Sequence, residues 1–217
     1  MSLIESQRRP YSRDERRHMF TGIITHRGTI VSRNSSSLEI SVPKGIRKDL
    51  PSGSSLSVNG VCLTVTQLTG GAVCTHIMPE TWKKTALGTL LKGDQVNLEL
   101  PVSINGLFQG HIVQGHIDGV AEVISIKKEA NSKIITYKSA ENLTRFMVPK
   151  GSIAIDGISL TLISVSDETF CIGIIPYTNK NTNMQSVTKG TKSNIETDIM
   201  AKYVAKLCQK GIYGKTN

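Results

Sequence analysis

Aromatic residues make up only 5% of this 217-residue chain, too thin a supply for a surface that reads nucleic acid by stacking. No apolar run approaches the ~20 residues of a membrane-spanning helix, so no transmembrane helix is expected. The first 18 residues mix Arg8, Arg9, Arg13, Arg16 and Arg17 with Glu5, Asp14 and Glu15 and lack the apolar core of a secretory signal. They are expected to form a disordered basic extension, with Met19 as a possible original start. Cysteine is scarce, and Cys62, Cys74, Cys171 and Cys208 form neither a CxxC pair nor a metal spacing. Reduced thiols in a cytoplasmic protein without disulfides are therefore expected. Acidic residues are outnumbered 17 to 26, giving a formal net charge of +9. The basic residues are scattered, so anionic metabolites or solubility explain that charge at least as well as a nucleic acid does.

What the chain does have is a repeat. Gly22, Asn59-Gly60, Thr64, Pro79, Thr81, Thr85, Gly93, Asn97 and Glu99 recur 97 residues later as Gly119, Asp156-Gly157, Thr161, Pro176, Thr178, Thr182, Gly190, Asn194 and Glu196. So constant an offset predicts one folding unit present twice with no net insertion. Each half is large enough to bury its own core. Short runs rich in Val, Ile, Leu and Thr, punctuated by Gly, Asn, Ser or Pro roughly every eight to twelve residues, read as strands. In the first half they fall at 20–25, 29–33, 38–42, 55–58, 61–68, 72–78 and 95–100. Asn59-Gly60 and Asp156-Gly157 predict tight reversals between strands. Residues 44–50 and 142–147 predict single helical turns plugging a barrel end.

Met200, Tyr203, Val204 and Leu207 fall on one face of a helix beginning near Thr197 or Asp198, with no counterpart in the first half. That stripe packs either on its own barrel or on copies of itself. The expected organisation is an extension at 1–18, a barrel at 19–106, a second at 107–196, and a helix with a tail at 197–217.

The repeat also sorts candidate site residues. Matched positions are expected to build a shared pocket, and mismatches to give two pockets different jobs. SLSVNGVCLTVT at 55–66 faces SIAIDGISLTLI at 152–163, keeping Leu63 with Leu160 and Thr64 with Thr161, while Cys62 faces Ser159. IMPETWKKT at 77–85 faces IIPYTNKNT at 174–182, exchanging Glu80 for Tyr177. For a single half, these Thr and Pro residues would read simply as shapers of strand ends. GHIVQGH at 110–116 places His111 and His116 each after a glycine, and in the 97-residue register they align with Asp14 and Met19. Five-residue spacing is not that of a helical zinc site, and no metal is expected. Imidazoles suit proton transfer near neutral pH, and glycines allow close backbone approach to a ligand.

Taken together, Met19-Phe20-Thr21-Gly22-Ile23, SLSVNGVCLTVT, MPET, GDQVNLE, GHIVQGHIDG, KGSIAIDGISLT, IIPYT and SNIETD make the chain resemble riboflavin synthase, the alpha-type enzyme built from two lumazine-binding repeats. The resemblance covers nearly everything after the extension. It implies an all-β fold of two tandem Greek-key six-stranded antiparallel β-barrels plus a C-terminal α-helix. It implies a homotrimer in which the N-terminal barrel of one subunit meets the C-terminal barrel of the next. It implies that two molecules of 6,7-dimethyl-8-ribityllumazine exchange a four-carbon unit, giving riboflavin and 5-amino-6-(ribitylamino)uracil without an external cofactor, a membrane or a nucleic acid.

Carried over residue by residue, Phe20, Ser55, Cys62, His111, His116 and Asp198 are the expected catalytic positions, with proton transfer assigned to His116. Ser55 and Cys62 are assigned to the ring in the N-terminal pocket, and Asp198 to the opposing pocket. Substrate contacts are expected from Gly22, Ile23, Ile24, Cys62, Leu63, Thr64, His76, Ile77, Met78, Pro79, Glu80, Thr81, Gly115, His116, Ile117 and Lys150. Further contacts are expected from Ser159, Leu160, Thr161, Ile174, Ile175, Pro176, Tyr177, Thr178 and Asn179. The chain departs from the family pattern at Leu100-Pro101, where Arg-Ala is usual, at Gln109, where glycine is common, and at Tyr177, where His or Glu is frequent. The alternative class is a lumazine- or flavin-carrying antenna protein on the same repeats, which would have no use for proton-transfer groups. A basic nucleic-acid-binding barrel is a further rival.

Overall fold

The computed structural model describes residues 19–103, 105–139 and 141–209. Strands β1 (His26–Arg33), β2 (Ser37–Ser41), β3 (Ser55–Val58), β4 (Val61–Thr69), β5 (Ala72–His76) and β6 (Gln95–Glu99) close into an antiparallel barrel in the order β1-β2-β5-β4-β3-β6. Strands β7 (Gly119–Glu129), β8 (Ser132–Lys138), β9 (Ser152–Ile155), β10 (Ile158–Val165), β11 (Thr169–Ile174) and β12 (Lys192–Thr197) repeat that Greek-key order in a second closed barrel. Alternation sets the inward face: Leu38 and Ile40 are buried between polar neighbours in β2, and Phe170, Ile172 and Ile174 are buried in β11. Each barrel thus fills its own apolar core.

Repeated threonines have a local use. Thr85 and Thr182 follow the short helices α1 (Pro79–Lys84) and α3 (Pro176–Asn181), each opened by a proline. Each hydroxyl donates to the carbonyl four residues back, Thr81 or Thr178. Each also accepts from the backbone of the following 3-10 turn, at Leu87 or Met184. The predicted plugging turns are present as a 3-10 turn at Lys44–Asp49 and as α2 (Glu141–Thr144).

The turns Asn59-Gly60 and Asp156-Gly157 all have positive φ, between 45° and 77°, and they meet back to back. A Cβ on Gly60 would lie 2.6 Å from the Gly157 nitrogen, so only glycine allows the approach. Buried amides lock the joint. Asn59 Oδ1 accepts from the Asn97 backbone and Asp156 Oδ1 from the Asn194 backbone, at 2.7 and 2.8 Å. Asn97 Nδ2 then crosses to the Asp156 carbonyl, and Asn194 Nδ2 to the Asn59 carbonyl. Asp156 Oδ2 accepts from Asn183 Nδ2.

Three expectations need correction. Residues 20–25 do not form a strand; Phe20 makes a single bridge to Val113, and the segment is a strap leading into β1. The expected strand at 72–78 ends at His76, where Pro79 opens α1. The repeat is not uniform either. Asn97 faces Arg27, whereas its twin Asn194 faces Val120, so the first strands are offset by 93 residues and the rest by 97. Bulges agree, falling at Ile30/Ser32 and Val123/Ser125 on one offset and at Val65/Gln67 and Leu162/Ser164 on the other. The β7-β8 hairpin is therefore four residues longer than β1-β2, and Gly22 is the twin of Gly115 rather than of Gly119. His116 accordingly aligns with Ile23, not Met19.

Candidate active site

Two straps carry the site. Phe20 and Val113 exchange backbone hydrogen bonds at 2.8 and 3.1 Å, and Phe20 is fully buried against Val113 and Ala154. From that crossing the straps diverge, each to the barrel that follows the other. Gly22 offers its carbonyl to the Ser159 amide at 2.8 Å, and Gly115 offers its carbonyl to the Cys62 amide at 2.9 Å. Both glycines have φ near +79°, and a Cβ on either would sit 2.6 or 2.5 Å from the Cβ of Ser159 or Cys62. Beyond them, Ile24 packs against the C-terminal core and Ile117 against the N-terminal core.

Two constellations result. In the N-terminal barrel Cys62 lies beside Ser55, Leu63, Thr64, Gly115 and Ile117, with His116 next on the strap and exposed. Burial pushes the Cys62 thiol up; the hydrogen bond from Ser55 opposes that shift and Glu196 adds to it. A raised thiol is a neutral donor rather than a ready thiolate. In the C-terminal barrel Ser159 lies beside Gly22, Ile23, Ile24, Leu160 and Thr161. His111 belongs to this second group, with Nδ1 2.7 Å from Ser159 Oγ. Its Nε2 is buried with no hydrogen-bond partner among the described residues. Burial pushes His111 down, and Asp198 works in the opposite direction. Asp198 also accepts from the Met200 amide and opens α4 (Ile199–Gln209). Of the two histidines of GHIVQGH, His111 thus lies against Ser159, and His116 follows the glycine bonded to Cys62.

The other expected contacts split by side-chain direction. Leu63, Ile77 and Ile174 point into the cores. Met78 and its twin Ile175 are 71% and 57% exposed, and Tyr177 is 76% exposed, with Pro79 and Pro176 also at the surface. Glu80 pairs with Lys84 at 3.1 Å, and Asn179 accepts from Lys133 Nζ. His76 ends β5 opposite Ser37, Lys150 is exposed at φ 69°, and Thr81 and Thr178 lie within α1 and α3, where their carbonyls accept from the Thr85 and Thr182 hydroxyls. A cleft of about 350 Å³ joins Ile174, Pro176 and Asn179 to Ile126 and Lys133. Another of about 460 Å³ runs along Thr21, Ile23, Glu99 and Leu107. A cleft of about 500 Å³ at the inter-barrel joint, beside Asn59, Asp156 and Asn183, involves none of the expected contacts.

Sequence reasoning missed the use of Glu99 and Glu196, although both stood among the repeated residues. Glu99 Oε1 accepts from the Thr21 amide and hydroxyl, and Oε2 from the Gly22 amide, at 2.7 to 3.0 Å. Glu196 accepts from the Gln114 amide at 2.7 Å and the Gly115 amide at 2.9 Å. Burial raises Glu99, against its hydrogen bonds with the strap. It takes Glu196 up to about 7, against the two strap amides and Lys202, with Asp118 adding to the rise.

The model of the lumazine binding domain matches twice, at residues 21–101 and 114–198. The riboflavin synthase of Bacillus subtilis (strain 168) is 42% identical over 91% of this chain and 94% of its own length. The chain belongs to the riboflavin synthase family. Riboflavin synthase of Actinobacillus pleuropneumoniae is likewise 42% identical, over 88% of this chain and 91% of its own. As a member of that family the protein is an enzyme, a transferase. Solved structures of LumP are also similar. The complex with 6,7-dimethyl-8-(1'-D-ribityl)lumazine aligns at a TM-score of 0.74 and 28% identity, and the riboflavin complex at 0.76 and 29%. Each alignment covers 82% of this chain and 98% of LumP.

Proposed function

We propose that each barrel binds one 6,7-dimethyl-8-ribityllumazine and that a four-carbon unit passes from one ring to the other. The products are riboflavin and 5-amino-6-(ribitylamino)uracil. The atoms of two identical substrates are redistributed between two products, so the reaction needs no oxidant and no external cofactor. The observation that carries this reading is the inequality of the twin sites: Cys62 with Gly115-His116 on one side, Ser159 with Gly22-Ile23 and His111 on the other. One ring must lose a proton and its partner must be held for attack, so two similar pockets need different polar groups. His116 is the proton-transfer group, Ser55 and Cys62 polarise the ring in the N-terminal pocket, and Asp198 with His111 serves the opposing one.

The pockets are completed between subunits of a homotrimer, the N-terminal barrel of one facing the C-terminal barrel of the next. Met78, Ile175 and Tyr177 are exposed around the sites in the single chain, and a facing barrel would cover them. The protein works in the cytoplasm, a reading supported by its scarce cysteines without CxxC or metal spacing. The similarity to LumP, solved with lumazine and with riboflavin, favours a second reading, ligand carriage without turnover. Incubating the protein alone with 6,7-dimethyl-8-ribityllumazine separates the two. Riboflavin accumulates if the protein is the synthase, whereas bound, unchanged lumazine marks a carrier.

A further inference from the structure

The straps are held by the barrels' last strands, and the pairing is crossed. Glu196 is the next-to-last residue of β12 in the C-terminal barrel and is 2% exposed. Its two oxygens take the successive amides of Gln114 and Gly115, and the carbonyl of Gly115 takes the Cys62 amide of the N-terminal barrel. The mirror arrangement runs from Glu99 in the N-terminal barrel, through Thr21 and Gly22, to Ser159 in the C-terminal barrel. A carboxylate with an amide on each oxygen fixes two consecutive peptide planes, and charge-assisted bonds of this kind are the strong ones. Each strap also has a glycine in the left-handed region pressed on the far barrel, so no slack remains between carboxylate and pocket.

We propose that Glu99 and Glu196 are crossed positioning residues: Glu196 sets the strap that brings Gly115 and His116 onto Cys62, and Glu99 sets the strap that brings Gly22 and Ile23 onto Ser159. Each barrel therefore completes the pocket of the other barrel in the same chain. Neither carboxylate touches substrate; each acts through the backbone it holds. Both stand at the same place in the repeat, so the crossing is a property of the duplication and not of one pocket. Use of the straps in catalysis rests on the proposed synthesis of riboflavin, whereas the brace itself does not.

The test is alkylation of the full chain by N-ethylmaleimide, followed at each cysteine by mass spectrometry. Glu196→Gln leaves a donor facing a strap amide, so labelling of Cys62 should quicken about tenfold, while Cys74 in β5 and Cys171 in β11 keep their wild-type rates. Glu99→Gln should leave Cys62 unchanged. Equal effects of the two variants on Cys62, no effect of Glu196→Gln, or a uniform rise at Cys62, Cys74 and Cys171 would overturn the proposal. Glu196→Gln also removes a charge that helps to raise the Cys62 thiol, so Gln114→Pro, which removes one strap N–H donor and keeps the Glu196 carboxylate, is labelled beside it. It should quicken Cys62 likewise, and a rise with Glu196→Gln alone would overturn the proposal. With lumazine as substrate, Glu196→Gln should lower kcat about tenfold with less than a threefold change in KM. The labelling needs no turnover, so a protein that makes no riboflavin but labels as expected refutes the function and keeps the brace. Unselective labelling in an active enzyme does the reverse.

Discussion

Cys62 and Ser159 hold the same place in the two repeats, each with its amide bonded to a glycine carbonyl of a strap. What differs is the residue that follows the glycine, His116 in one strap and Ile23 in the other. Replacing His116 by Ala should lower turnover about 10²- to 10⁴-fold, the usual range for a lost proton-transfer group. Lumazine binding, measured by equilibrium titration, should change little. A parallel loss of affinity and rate would assign His116 to binding alone. Gly115→Ala combines positive φ with a Cβ placed 2.5 Å from the Cys62 Cβ, so the strap must lift. It should lower stability by more than about 1 kcal/mol in chemical denaturation and weaken the N-terminal pocket. An unchanged midpoint with full activity would contradict that contact. Cys62 and Ser159 stood out in the sequence as a mismatch inside matched motifs, and His116 as a glycine-flanked imidazole without a twin. Phe20 was legible too, but the chain brings it to the buried crossing of the straps, where a single chain gives it no exposed face. Only tertiary contacts determine that outcome.

At the scale of elements, the repeat made both barrels readable, because alternation in strands and Asn-Gly or Asp-Gly turns are local signals. The straps were not readable: residues 20–25 have strand-like composition but pair across the molecule rather than within a hairpin. The longer β7-β8 hairpin hid the true twin of Gly22 behind a chance match at Gly119. Asn183 also escaped notice, because its use depends on the meeting of two turns. At that joint Asp156 stands where the first repeat has Asn59, and burial pushes its carboxyl up to about 6 from an ordinary 3.8. A carboxyl raised on folding holds its proton more tightly in the folded chain. Its stabilising contribution is complete below about pH 4 and is lost as pH rises through about 6. Asp156→Asn removes that titration. Between pH 4 and pH 8 the wild type should therefore lose about 2 to 3 kcal/mol relative to the variant, read as a shift between their thermal midpoints. Midpoints that run parallel across this range would show that Asp156 does not titrate at the joint.

For the whole molecule, α4 leaves Met200, Tyr203, Val204 and Leu207 between 42% and 61% exposed along one face. The apolar stripe seen in the sequence thus lacks cover from its own barrel, which fits the second of the two expected partners, a further copy of the chain. If the proposed trimer forms through this face, Val204→Glu places a charge in it and should shift the sedimenting species from trimer to monomer, with loss of turnover. A trimer that survives the substitution would move the contact elsewhere.

The proposed reaction needs two unequal pockets that meet across subunits, and subunit mixing measures this directly. His116→Ala disables the N-terminal pocket, and Thr161→Ala weakens the C-terminal one, each in its own chain. After exchange of equal amounts, intact pockets should face each other at about a quarter of the interfaces, and about that share of wild-type riboflavin synthesis should return. Exchange confirmed by mass, with activity no higher than that of the two separate variants, would contradict the shared site.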